Sequence, residues 1–574
     1  MMYAYRTLLA LLCLSYGAAA QNALSIPPVL TGTTFNLTVQ TGSRSFYPSV
    51  STPTLGINAG WMAPTIVVNK GDSITLNVIN NLNQKTTMHW HGLHVSPKND
   101  GGPHQSINAG ATWSPSFKVR NNAGTFWYHP HGAGQTDPQI SRGLAGFFII
   151  HDPLEQALAI PHNYGQDDIP LVVQSKAFDE LGQIMIASNM DTALFVNGTL
   201  HPYLDAPAQV IRLRLLNASS LRSYNFGLSG GQSLYQIATD GGLLDTPRTL
   251  TRLLLSPGER AEVLINLSGM TGNTLYLRSF GSEIPEGVYG AAVVGAGADT
   301  IHEYEHNMRN GADFDLLRIN VTAPTASPVT AIPATLVPLI PFDPAQATHF
   351  RSIVLDTIRL LPADVPNRAD GPFGINNKTF DMDVINETVQ LNTTEIWTIK
   401  NHTLVAHPFH IHDIQFNIIQ EGGINLPPGK MGWKDVVVVR PGDSVKVLTK
   451  FETFADPDVP YMYHCHLLHH EDDGMMGTFL VVDSTKTGIR DRVPAGPAFR
   501  IAPNPAHNQV TLYLEQDLHE NRQITITDLA GRQVYTTGSD RSELRIDVSG
   551  WPKGVYFLNV TGKQGKTTRK MTIW

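Results

Sequence analysis

Residues 463–477 read YHCHLLHHEDDGMMG, and the rest of the chain makes sense as a set of partners for them. They hold His464, Cys465, His466, His469, His470, Met475 and Met476. Of the two cysteines in the sequence, the other, Cys13, lies within the first twenty residues. A lone cysteine in a long exported chain is not there for a disulfide. Cys465, His470 and Met475 supply a thiolate, an imidazole and a weak thioether. One more histidine completes a His2Cys set with a long axial methionine, the ligands of an electron-transfer blue copper site.

In an extended segment, alternate side chains point to opposite faces. His464 and His466 therefore face away from whatever Cys465 holds, so one tripeptide can touch two metal sites joined by covalent bonds.

A chain of 574 residues is too long for one core and predicts three or four domains. The net charge is −8, only 16% of residues are charged and no basic run occurs, which speaks against a nucleic-acid partner. With 49 glycines and 38 prolines among short runs rich in Val, Ile and Thr, the composition predicts an all-β chain. Residues 1–20 carry Arg6, an apolar run through Leu8, Leu9, Leu11, Leu12 and Leu14, then Ala18, Ala19 and Ala20. This is the pattern of a secretory signal peptide cut after Ala20. No other stretch approaches the roughly 20 apolar residues needed to span a bilayer, so the mature protein is expected to be soluble and exported.

From 24 to 155, strand-like pieces such as 65–68, 73–79, 124–128 and 146–150 alternate with turn signals. HWHGLH gives His89 and His91, and FWYHPH gives His129 and His131; spaced by two, each pair can present both imidazoles on one face of a strand. From 165 to 322 further strands occur without a cluster of ligand residues, and this domain reads as scaffold. Residues 323–345, rich in Pro and Ala, read as an extended linker. From 346 to 484 the third domain carries HPFHIH, with His407, His410 and His412, and then the opening stretch. His410 and His412 share a face while His407 can look the other way, toward Cys465, His470 and Met475. His402 and His469 fall outside the pattern. From 500 to 574, PNP, ITITDLAGR and KGVYFLNV predict a small β-sandwich without ligands.

Together, HWHGLH, FWYHPH, HPFHIH and HCHLLHHEDDGMM resemble the four copper motifs of the three-domain multicopper oxidases, the laccase, bilirubin oxidase and cuprous oxidase group. The resemblance runs from about 25 to 484 and includes ATDGG and LSPGERAEV. It implies three cupredoxin-like β-sandwich domains and four copper ions. Type 1 copper would be held by His407, Cys465 and His470 with Met475 axial, type 2 by His89 and His410, and the type 3 pair by His91, His129, His131, His412, His464 and His466. All ten histidines are present, unlike in copper-free relatives that keep the fold. The implied chemistry is one-electron oxidation of a small reductant at type 1 copper, coupled to four-electron reduction of dioxygen to water. Glu471 and Asp100 match acids that pass protons to the cluster in this family; as plain hydrogen-bond acceptors they would only orient imidazoles.

Cuprous oxidases of the group carry a Met-rich insertion in the third domain and Met or Asp just before HPFHIH. Here the preceding residues are NHTLVA, from Asn401 to Ala406, and no Met-rich tract occurs. The edge of His470 is therefore expected to be open to bulky organic reductants. This favours a laccase-like oxidase of phenols or aromatic amines over an oxidase of Cu(I), with a non-enzymatic copper-binding envelope protein as the alternative of another class. The tail from 500 resembles the C-terminal sorting domain of type IX secretion, which implies export machinery as a partner, passage through the periplasm, and a secreted or cell-surface product.

Overall fold

Strand periodicity is explicit in segments such as Ser73–Asn80, SITLNVIN, where buried and less buried residues alternate along the whole strand. One face packs inward and the other meets solvent, the signature of a half-buried antiparallel or mixed sheet. In the computed structural model, which describes residues 22–295, 301, 303–358, 371–426, 431–485, 499–514, 522–529, 531–562 and 565–574, such strands assemble into eight sheets. The signal-peptide reading of 1–20 lies outside the described residues.

The sheets fall into facing pairs, each pair enclosing its own apolar core. This is the expected all-β architecture of cupredoxin-like sandwiches followed by a small C-terminal one. In the first sandwich, one sheet ends on His89–His91, an edge strand that pairs antiparallel with Gly124–His129. In the third, one sheet runs in the order Glu387–Gln390, Met476–Val482, Tyr461–Cys465, His407–Ile411 and Val436–Val439. The chain divides after Ser484 into two compact units, and the second has a core of its own around Val510, Leu512, Ile524, Ile526, Leu558 and Val560.

Strands near the histidines depart from simple alternation. Tyr461–Cys465 is buried at every position. Tyr461, Tyr463 and Cys465 belong to the third sandwich's core, whereas Met462 and His464 point the other way. A Cβ built on Gly102 of the first sandwich would lie 3.4 Å from Met462 Cγ, so the outer face of this strand is covered by another domain rather than by water. The segment read as a linker forms no strand and lies as a strap: Val210 N donates to Val329 O at 2.7 Å and Leu336 N donates to Asp245 O at 2.8 Å. Val329, Ile332, Leu336 and Val337 pack against a buried apolar cluster of the middle sandwich.

Candidate metal centre

Register decides which histidines meet. In the third sandwich Phe409 lies opposite Cys465 and His410 opposite His464. His407, two residues before Phe409, therefore projects with Cys465 into the sandwich, while His410 and His464 share the outer face. In the first sandwich His89 pairs with His129 and His91 with Trp127. Both edges turn their imidazoles toward the same interdomain space.

On the inner side, His407 Nδ1 lies 3.4 Å from Cys465 Sγ and His470 Nδ1 lies 3.9 Å from it; the two nitrogens are 3.3 Å apart. Cys465 N donates to Met475 O at 3.0 Å and Met475 N to His470 O at 2.8 Å, which folds the loop back on the thiol. Met475 is fully buried in the same core cluster as Cys465. Thr403 Oγ1 sits 2.7 Å from His407 Nε2 and Tyr289 Oη 3.4 Å from His470 Nε2. These contacts leave both Nδ1 atoms facing the sulfur.

On the outer side, eight imidazoles gather. His91, His129 and His466 form one group, His131, His412 and His464 a second, and His89 with His410 a third that also includes His91. The pairs His129/His131, His410/His412 and His464/His466 are each split between groups, while His89 and His91 also share one.

The donor set fits cations. His89 and His410 donate through Nδ1 to the backbone oxygens of Asp100 and Asp435, at 2.9 and 2.7 Å. His129 and His464 donate to the oxygens of Pro130 and Cys465, at 2.8 and 2.9 Å. His412 Nδ1 meets Asp100 Oδ2 at 2.7 Å, and His91 Nε2 meets Asp435 Oδ1 at 3.1 Å. A neutral imidazole with one N–H so committed offers a lone pair on its other nitrogen. Those lone pairs converge. His131 Nε2 is 3.0 Å from His464 Nε2 and 3.2 Å from His412 Nε2. His91 Nδ1 is 3.4 Å from His129 Nε2 and 3.3 Å from His466 Nε2. The Nε2 atoms of His89 and His410 are buried without a hydrogen-bond partner. Packed this closely, lone pairs repel unless a positive ion lies among them, and a buried polar atom without a partner is costly. Burial favours the neutral form of His129, lowered to about 3, of His131, lowered to about 4, and of His407, lowered to about 3. It also pushes the Cys465 thiol up, so the thiolate needs an adjacent cation.

The two acids occupy the cluster's edges. Asp100 reaches His412 through Oδ2 and lies 3.5 Å from His89 Nδ1 through Oδ1; burial, with Asp413 adding to it, raises its pKa well above the ordinary range. Glu471 Oε1 accepts from Thr136 Oγ1 at 2.7 Å, and its carboxylate lies 3.5 Å from His131 Nδ1 and 3.2 Å from His464 Nδ1. Burial pushes Glu471 up, but the imidazoles of His131 and His464 outweigh it and hold the group below the usual carboxylate range.

His402 and His469 stand apart with exposed side chains, beside Asp356 and Asp473. The expected open edge of His470 is not found: the residue is only 4% exposed. The Phe373 ring lies 4.4 Å from its own and Tyr289, from the middle sandwich, 5.8 Å. Three contacts escaped the sequence reading. Asp435 holds His91 and His410, Thr403 faces His407, and Gly258 lets the middle sandwich approach His466 so closely that a Cβ there would sit 2.7 Å from the ring. Asp435 opens the apolar run DVVVV and Gly258 lies in LSPGERAEV, but neither stretch shows which histidine it meets.

One buried thiol with two imidazoles, joined within a strand to an eight-imidazole cluster between cupredoxin-like sandwiches, defines a copper-handling redox protein. Residues 38–155 and 356–485 match family models described as multicopper oxidase. Residues 500–574 match the secretion system C-terminal sorting domain. The chain is 33% identical over 464 residues to a multicopper oxidase of Staphylococcus haemolyticus, covering 78% of this chain and 88% of the relative. It is 31% identical over 484 residues to the cell division protein FtsP of Escherichia coli, covering 81% and 93%. Among solved structures it resembles CueO of Ochrobactrum sp., described as a laccase-like multicopper oxidase with activity towards lignin model compounds. There the TM-score is 0.69 and the identity 31%, over 80% of this chain and all of that one. The chain belongs to the multicopper oxidase family, and copper is its implied cofactor.

Proposed function

We propose that the protein is a four-copper oxidase that couples one-electron oxidation of phenols or aromatic amines to reduction of dioxygen to water. The observation that carries the reading is the convergence of lone pairs in separate imidazole groups on one side of a strand whose thiol faces the other side. His407, Cys465 and His470, with Met475 axial, would hold type 1 copper, and His89 and His410 type 2 copper. His91, His129 and His466 would hold one type 3 ion, and His131, His412 and His464 the other. Bound there, copper supplies one-electron redox chemistry at the thiolate site and multielectron chemistry toward dioxygen at the cluster.

The chain's own contribution is placement. Cys465 is joined by peptide bonds to His464 and His466, one in each type 3 group, so the path between the two sites is covalent. We infer that Glu471 and Asp100 deliver protons to the cluster; Asp100 also takes the N–H of His412.

Phenols or aromatic amines are favoured by the lack of a Met-rich tract and by the activity named for the Ochrobactrum relative. A second reading, oxidation of Cu(I), is favoured by the burial of His470 beneath Phe373 and Tyr289, which leaves little room for a bulky donor to touch the ring. The relative named for cell division keeps a non-enzymatic role as a third outcome. The test is copper reconstitution followed by parallel oxygen uptake with a phenol, bilirubin and Cu(I). Fastest uptake with the phenol is expected. Fastest uptake with Cu(I) would favour the metal oxidase, and a colourless protein that consumes no oxygen would sink both.

The sorting domain marks the chain for export, and we infer a secreted or surface-held product that has crossed the periplasm.

A further inference from the structure

The middle sandwich holds no ligand group among the described residues, yet one of its side chains reaches the acceptor on which two imidazoles depend. Arg260, in the strand Arg260–Asn266, is fully buried. It grips both oxygens of Asp435 in the third sandwich, Nη1 to Oδ1 at 2.6 Å and Nη2 to Oδ2 at 2.7 Å. The guanidinium is itself clamped: Nε donates to Thr125 O at 3.2 Å in the first sandwich, Nη1 to Gly258 O at 3.1 Å, and Nη2 to Asp240 O at 2.9 Å. Asp435 then works in two directions. Its Oδ1 takes His91 Nε2–H at 3.1 Å and its backbone oxygen takes His410 Nδ1–H at 2.7 Å. Gln415 Nε2 adds a third hold, 3.1 Å from Oδ2.

We propose that Arg260 is a positioning residue for the copper cluster. Through Asp435 it fixes the tautomer and orientation of His91 and His410, and so couples the middle sandwich to ligands from the first and third. The inference rests on the proposed copper assignment of those two histidines.

Several features point to positioning rather than general adhesion. A two-pronged guanidinium–carboxylate pair fixes both the angle and the distance of the carboxylate. Within the eight-imidazole cluster His91 is unlike His89, His129, His410, His412 and His464, which use Nδ1: its Nε2 is the donor and its Nδ1 is left to face His129 and His466. That inverted tautomer requires an acceptor at Nε2, and Asp435 is the one present. The space is cut to fit: a Cβ on Gly92, next to His91, would lie 2.3 Å from Asp435 Oδ2 and 2.9 Å from Arg260 Nη2. Lys434, next to Asp435 in sequence, is itself held by Glu259 at 2.7 Å and Asp240 at 2.8 Å, so it is not free to replace the guanidinium. Without Arg260, Asp435 would be held on its side chain by Gln415 alone besides His91, free to rotate, and that rotation releases the Nε2–H of His91.

The test uses the full chain loaded with copper. Wild type, Arg260→Met, Arg260→Lys and Asp435→Asn are compared for copper per chain, the visible type 1 band and the type 2 EPR spectrum. A wild type that takes up no copper would sink the copper assignment, and this inference with it. Given a copper-loaded wild type, Arg260→Met and Asp435→Asn should hold cluster copper about 10- to 100-fold more weakly and show an altered or missing type 2 signal while keeping the type 1 band. Arg260→Lys, which restores the charge without the fork, should fall between. A wild-type type 2 spectrum and normal retention in both Arg260→Met and Asp435→Asn would overturn the proposal. So would loss of the type 1 band in step with the type 2 signal, the mark of a merely structural role. If Arg260→Met does not fold, Asp435→Asn, which keeps size and shape, decides alone.

Discussion

Asp100 and Glu471 look alike in the sequence but differ in what they hold. Asp100 is wedged between His89 and His412, and takes the N–H of His412 directly; Asp100→Asn should therefore weaken copper retention by about 10- to 100-fold, measurable as copper per chain after dialysis. Glu471 has a hydrogen bond from Thr136 and lies near His131 and His464 without being the acceptor that fixes either, since His464 already donates to Cys465 O. Glu471→Gln should keep both copper content and blue absorption yet slow dioxygen reduction, and unchanged turnover would discard the proton-delivery role. A different residue carries a pH signature away from the metals. Lys176 is 4% exposed, bonded to Ser141 O at 2.7 Å, and burial, only partly offset by Asp137, lowers its pKa to about 7. The unfolded chain binds that proton near 10.5, so burying Lys176 costs stability fully below about pH 7. The cost shrinks as pH rises through the interval and vanishes above 10.5. Lys176→Met should gain on wild type by up to roughly 4 kcal/mol at neutral pH relative to pH 10.5, read from paired denaturation curves. A pH-independent difference would exclude the buried charge.

Strands explain why some of this was legible and some was not. Alternation along YHCH and HPFHIH was enough to place Cys465 with His407 on one face and His464 with His410 on the other, because period two is a property of one strand. Which imidazoles share an ion was not legible: that depends on sheet order, on His129 lying opposite His89, and on how two sandwiches face each other. The cover on His470 was missed for the same reason, since Tyr289 and Phe373 come from separate stretches. Gly258 is the instructive turn. Its φ of +87° and the closeness of His466 both demand a glycine. Gly258→Ala should cost about 1–3 kcal/mol in backbone strain and displace the His466 ring. It should show as a lower melting temperature with a weakened type 3 near-ultraviolet band; loss of stability alone would mean the ring does not feel the loop.

At the scale of the whole molecule, the chemistry depends on three sandwiches being locked together. Buried charges do the locking: Arg212 meets Glu155 at 2.7 Å, Arg214 Nη1 donates to Thr125 Oγ1 at 2.8 Å, and Glu262 takes Thr125 Oγ1 at 2.7 Å, tying the middle sandwich to the first. Such a pair contributes little net stability over an apolar replacement, but breaking one half leaves a buried charge exposed to nothing, which costs about 3–5 kcal/mol. The described residues of the tail form none of these pairs. The tail divides from the rest as a compact unit with its own apolar core, and no group of potential ligands includes any of its described residues. A chain ending at Ser484 should then bind copper and consume oxygen as the full chain does, and its melting temperature should match one of two transitions resolved in the full chain, as expected for domains that unfold separately. Only the full chain should leave the cell through the sorting machinery. Loss of copper or of oxygen uptake on truncation would mean that the tail supports the oxidase itself, and its reading as an export address alone would fall.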